Sequence, residues 1–137
     1  MTKKKRTNYD RGRETEYKIV HELTEKGFIN AGRTAGSHGM FDIVAVKPGE
    51  HVVFIQAKRS KEVITFERLY KEDLDKILDA LPHMPEQVQC EAWVWVDRKG
   101  WHQKIVIKEA GQTYTNHDIK KIRSQLAKGI NIFREVK

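Results

Sequence analysis

Two short runs rich in β-branched residues, 41–46 and 52–58, flank the segment Lys47-Pro48-Gly49-Glu50 and constrain the fold more than any other feature. Proline and glycine stand where a tight turn needs them, so the runs predict a β-hairpin. Both faces of each run are largely apolar, which predicts strands covered on both sides. A chain of 137 residues is long enough to bury one such core. Around the hairpin, residues 10–26 carry helical spacing, with Ile19, Val20 and Leu23 on one face and Gly27 as a stop. Residues 28–33 predict a short strand, and 34–39, which hold Ser37, His38 and two glycines, predict a loop. Helical spacing returns over 66–81 and ends at Pro82, after which 88–96 and 101–107 predict a second hairpin. Asn116 is read as the cap of a last helix that Gly129 closes. The order helix, three strands, helix, two strands, helix predicts an α/β fold with a mixed central β-sheet flanked by helices. Residues 1–9 are polar, basic and without periodicity; they predict a flexible arm ahead of a single domain at 10–137.

Charge narrows the partners. The chain carries 26 Lys and Arg against 19 Asp and Glu, a formal net charge of +7. Such a surplus favours a polyanion, and nucleic acid is the densest one, with about one charge per 1.7 Å of duplex axis. Cys90 is the only cysteine, which excludes a disulfide framework and a thiolate zinc cluster. The longest apolar run is five residues, 92–96, too short for a membrane span. The Lys3-Lys4-Lys5-Arg6 start lacks the apolar stretch of a signal peptide. The expected location is the cytoplasm, that of the host if the chain is viral, with no membrane partner.

Three positions break the apolar pattern. Glu16 lies within about 60° of Ile19, Val20 and Leu23 on the first helix, whereas Glu14 points toward the far side. A carboxylate on a core-facing stripe is costly unless a cation or donors meet it. Taken alone, it also reads as a capping or salt-bridged acid. Asp42 enters a core strand where Asp is disfavoured, and alone it reads as a turn residue. Gln56 and Lys58 share a face at the end of the partner strand, with Ala57 on the other. If the turn sets Lys47 against His51, Asp42 falls opposite Gln56 on the same sheet face. Lys58 alone reads as a snorkelling strand-end lysine. Jointly, the two acids, the amide and the lysine suit metal-assisted phosphodiester hydrolysis, in which oxygen ligands hold Mg²⁺ and a lysine orients water or offsets charge.

At these residues the chain resembles the PD-(D/E)xK nuclease superfamily, and within it the archaeal-type (Hjc-like) Holliday junction resolvases. The match runs in order over residues 10–60: Arg11-Gly12 ahead of Glu16, Glu25-Lys26-Gly27-Phe28 at the helix end, then Arg33-Thr34-Ala35-Gly36-Ser37, Asp42 and Ile55-Gln56-Ala57-Lys58. The resemblance implies a restriction-endonuclease-like sheet and a homodimer whose two sites nick opposite strands of a four-way DNA junction. It implies Mg²⁺ as cofactor, with Mn²⁺ as a substitute. Carried over, Asp42 is the central metal ligand, Gln56 and the Ala57 carbonyl complete the inner shell, and Glu16 reaches the ion directly or through water. Lys58 activates the attacking water, and Ser37 joins the catalytic set. Ser37 and Arg33 are the implied contacts to the scissile phosphate or adjacent backbone, and Arg11 and Arg13 join the candidate DNA contacts. His38 reads as a phosphate contact or as a loop residue facing solvent, and Arg59 and Lys61, directly after the strand, as phosphate contacts or as ordinary solvated charges. One departure is clear: Gln56 stands where the superfamily pattern has an acid, which removes one negative charge from the site.

Other features leave alternatives open. Trp93, Trp95 and Trp101 read as core under a helix or as a dimer seam, a role that Phe66, Leu69 and Tyr70 also fit. Lys120, Lys121, Arg123 and Lys128 on the last helix read equally as a DNA flank or a solvated face. Two further functions compete with junction resolution: a related nuclease for flaps or duplex DNA, and a DNA-binding module whose catalysis is impaired by the change to Gln56.

Overall fold

The computed structural model describes residues 7–34 and 40–137. The first helix, α1 (Asn8–Glu25), starts two residues before the spacing predicts because Thr7 and Asp10 form a reciprocal capping box. It ends on Gly27 at φ 91°. There the Phe28 N–H donates to the Leu23 carbonyl and the Gly27 N–H to that of Thr24, a paired closure that needs the left-handed conformation glycine adopts without cost. The last helix, α4 (Asn116–Ala127), repeats both devices. Its cap is Thr115, not Asn116 as predicted, because Asp118 stands three residues after Thr115 and returns the hydrogen bond.

Between them lie β1 (Ile29–Arg33), β2 (Ile43–Lys47), β3 (His51–Ser60), α2 (Phe66–Leu69), α3 (Lys71–Ala80), β4 (Val88–Val96) and β5 (Gly100–Lys108). The five strands form one sheet in sequence order. All neighbours are antiparallel except β3 and β4, which run parallel, so residues 61–87 must carry the chain back along the sheet. This is the mixed sheet expected. The single helix predicted over 66–81 is instead three pieces: Tyr70, at φ −105° and ψ 46°, ends α2 and opens α3, and a 3-10 turn follows at Leu81–His83. Continuous apolar spacing hid that break.

The hairpin register is as predicted, with Lys47 against His51 and Ile43 against Ile55. Period-2 alternation then sends β3 to two cores. Val53, Ile55 and Ala57 meet Ile19 and Leu23 of α1, together with Ile43, Ala45 and Trp93. Val52 and Phe54 point to the other face, where Phe66, Leu74, Ile77 and Leu78 pack on Cys90, Ala92, Val94, Ile105 and Ile107. Trp93 is fully buried and meets Trp101 edge to face at 5.2 Å; Phe66 is fully buried as well. Both are core residues and are removed from the candidate dimer seam. The segment after α4 was not read from the sequence. It lies along β5, where Val106 N–H donates to Arg134 O and Val136 N–H to Lys104 O, so the open edge of that strand is covered. Among the described residues, no helix is long and apolar enough to cross a membrane.

Candidate active site

The site lies where β2 begins and β3 ends. Asp42 precedes β2 and is held by both strands: its N–H donates to Ile55 O at 2.9 Å, and its carbonyl accepts from the Thr34 N–H at 2.8 Å. Its Oδ2 accepts from the Ala57 N–H at 2.9 Å. The regular register ends at Ile43 and Ile55. The Asp42 N–H bonds to Ile55 O instead of pairing with Gln56, so Asp42 lies beside the end of β3 without the regular cross-strand opposition to Gln56 that the turn predicts. Gln56 is buried, 7% exposed. Lys58, two residues on and therefore on the same face, extends its ammonium toward α3.

Electrostatics at Asp42 follow from this setting. Burial, above all, pushes its carboxyl above the usual range; the fields of Glu16 and Asp73 act the same way, and the Ala57 N–H and Lys58 oppose them. A half-buried acid flanked by two further acids is a place where a cation is welcome. The donors at hand are a carboxylate, an amide and a backbone carbonyl, all oxygen, as Mg²⁺ requires. Among the described residues, no three of His, Cys, Asp and Glu come together as a ligand cluster. The expected set holds only two such residues, Asp42 and Glu16.

Glu16 is not at the centre of the buried stripe as predicted. Thr15, Ile19 and Leu23 are the buried positions of α1, because Thr15 can satisfy its hydroxyl on the Arg11 carbonyl at 3.0 Å. Glu16 stands at the flank, its side chain 19% exposed, and meets Arg33 Nε at 2.9 Å. The salt-bridged alternative is therefore the one found for Glu16, and Arg33, expected on phosphate, is its partner. Arg33 also lies over the Tyr17 ring at 5.3 Å. Glu14 does not simply face solvent either: its Oε2 approaches Arg59 Nη1 at 3.9 Å.

Arg59 departs furthest from expectation. Its Nε meets Asp97 Oδ1 at 2.6 Å and its Nη1 donates to the Arg11 carbonyl at 3.1 Å. The guanidinium thus ties β3 to the β4–β5 turn and to α1, and is removed from the candidate DNA contacts. Arg13 and Lys61 are exposed and Arg11 is partly so; Arg13 donates to the Tyr17 hydroxyl at 3.3 Å. Ser37 and His38 lie outside the described residues. On α4, Arg123 is bound to Asp75 and Asp79 of α3, whereas Lys120, Lys121 and Lys128 are exposed.

The site takes in two residues that the sequence does not place there: Asp73, which is not singled out, and Tyr70, which reads as a dimer-seam candidate. Asp73, in the first turn of α3, reaches Lys58 Nζ at 3.0 Å. Tyr70 lies under the same ammonium at 5.0 Å and donates its hydroxyl to Arg59 O at 3.4 Å. No local sequence signal marks their role, because continuous apolar spacing hides the break at Tyr70.

This geometry joins a sequence match that decides the family. The profile of the archaeal Holliday junction resolvase (Hjc) family matches residues 7–137. The chain belongs to that family. Hjc membership makes it a DNA endonuclease of recombination and repair. Among solved structures the chain is similar to Hjc of Archaeoglobus fulgidus, a Holliday junction resolvase from an archaeal hyperthermophile, at 20% identity and a TM-score of 0.48 over 89% of this chain and 98% of that one. No curated protein matches the sequence.

Proposed function

We propose that this Hjc-family protein resolves four-way DNA junctions as a homodimer, each protomer nicking one strand by divalent-ion-dependent phosphodiester hydrolysis. The observation that carries the reading is the convergence of Asp42, buried Gln56 and Lys58 at one end of the β2–β3 hairpin, in a chain matched by the resolvase family from residue 7 to residue 137. Asp42, the Gln56 amide oxygen and the Ala57 carbonyl would hold Mg²⁺, with Mn²⁺ able to substitute. A bound divalent ion supplies Lewis acidity toward the phosphate and acidifies nearby water. The rest of the chemistry belongs to the chain. The Ala57 N–H fixes one carboxylate oxygen of Asp42 and leaves the other free to turn toward a cation. Lys58 holds a positive charge beside the reacting phosphate, where it orients the attacking water and offsets charge on the phosphoryl oxygens. Glu16 would reach the ion, directly or through water, if DNA phosphate drew Arg33 away. Arg11, Arg13, Arg33 and Lys61 would contact backbone phosphates, which position a duplex without reading its sequence; Ser37 and His38, outside the described residues, are carried over from the resemblance to the same role.

A labelled mobile four-way junction, its linear duplex and a flapped duplex, each incubated with Mg²⁺ or with EDTA, test the proposal. Paired symmetric nicks on the junction in Mg²⁺ alone are expected. Cutting of duplex or flap in preference to the junction overturns the substrate, and tight binding without cutting overturns the hydrolytic role.

Gln56 gives a second expectation. Replacing it with glutamate restores a charge to the ion site, and the Mg²⁺ concentration for half-maximal cleavage should fall on the order of tenfold. An unchanged metal dependence in Gln56→Glu would remove Gln56 from the ligand set.

A further inference from the structure

Resting on the hydrolytic reading above, we propose that Asp73 is a positioning residue of this site, which anchors the Lys58 ammonium and supplies the negative charge that Gln56 lacks. Charge counting exposes the need. Asp42 and Lys58 cancel formally, and the Glu16–Arg33 pair cancels too. A site made of these groups and Gln56 is neutral toward an incoming dication. Asp73, with Oδ2 at 3.0 Å from Lys58 Nζ, returns the excess negative charge and neutralises the ammonium that would repel the ion. Its field reaches Asp42 as well.

The geometry is built for the purpose. The chain breaks helical geometry at Tyr70; its ring lies under the ammonium at 5.0 Å and its hydroxyl meets the carbonyl of Arg59. Lys58 is thereby held between a ring face and a carboxylate, its side chain 24% exposed, in place of the free rotation of a surface lysine. An acid in a helix's first turn is ordinary, since it meets the helix dipole. Glu72 and Asp73 both stand in that turn. Only Asp73 is paired with Lys58, and the two meet across the return connection from β3 to α3.

The test compares the parent, Asp73→Asn, Asp73→Ser and Asp75→Asn, with thermal melts to verify folding. Asp75 lies on the same helix, bound to Arg123 at 2.9 Å, so its variant controls for net charge. Calorimetric titration of Mn²⁺ without DNA should show affinity about tenfold weaker in both Asp73 variants, the scale expected for one charge a few ångströms from a dication. Junction cleavage should lose kcat and keep KM, and Asp75→Asn should match the parent in both measurements. Adding Gln56→Glu to Asp73→Asn should recover most of the Mn²⁺ affinity, which repair of a helix terminus could not do. Parent-like Mn²⁺ affinity and kcat in both Asp73 variants overturn the proposal while leaving the nuclease reading intact. A parent that neither binds Mn²⁺ nor cuts the junction overturns both.

Discussion

Replacing Asp42 with asparagine is expected to cut junction cleavage by on the order of a thousandfold or more, because the central ion ligand is lost. Junction affinity should stay near that of the parent, since phosphate contacts elsewhere supply it. The same change should stabilise the ion-free protein. Burial raises the Asp42 carboxyl above the usual range, so the folded state binds its proton more tightly than the unfolded state. At neutral pH the folded parent holds a charge it would rather lose, and Asp42 costs stability there. Asparagine removes the charge and can still accept the Ala57 N–H. The variant should melt higher, by about 3 °C for each kcal/mol of desolvation relieved. The gap should close below about pH 4, where the carboxyl is protonated in both folded and unfolded parent. Added Mg²⁺ should raise the melting temperature of the parent and leave Asp42→Asn unmoved. Undiminished cutting by this variant would remove Asp42 from the site.

The second large effect lies away from the site. Lys108 is a fully buried lysine whose ammonium donates to the carbonyls of Glu86, Val88 and Glu109 at 3.1, 2.8 and 3.1 Å. Three donors meet three acceptors, so the buried charge is satisfied although burial lowers its pKa. In Lys108→Met those carbonyls lose their donor at about 1 kcal/mol or more each, a total of about 3 kcal/mol and a fall in Tm of about 10 °C. Relief of the ammonium's own desolvation opposes this. A variant that melts at or above the parent would mean that desolvation is the larger quantity. Cleavage by the folded fraction should not change.

The sequence reached the hairpin and its register because both are local: a Pro-Gly turn and a period of two leave little freedom once Lys47 and His51 are opposed. For the same reason Gln56 and Lys58, two residues apart on β3, were readable as one face. What escaped depends on contacts between distant segments. Arg59 looked like a cation free for phosphate because Asp97, its partner, lies in the other hairpin. Asp73 looked like an ordinary position of one continuous helix, and Tyr70 like a dimer-seam aromatic on it, since Leu69, Leu74, Ile77 and Leu78 keep helical spacing across the break. Lys108 ended an apolar strand, and nothing nearby announced three carbonyls closing on its nitrogen. The cap at Thr115 was within reach: Asp118 three residues later distinguishes it from Asn116.

The parallel pairing of β3 with β4 has its own corollary. A hairpin can form from neighbouring residues, but a same-direction partner obliges the chain to travel back the full length of the sheet before it can join. On that journey it delivers Tyr70 and Asp73 to the lysine at the end of β3. An ammonium on a nascent or partly opened molecule therefore has no ceiling above it, and it acquires its companions only when the return segment docks. On the role proposed for Asp73, competence to cut DNA then requires that segment to be docked, so a copy in which it is not presents a bare strand end in place of an armed one.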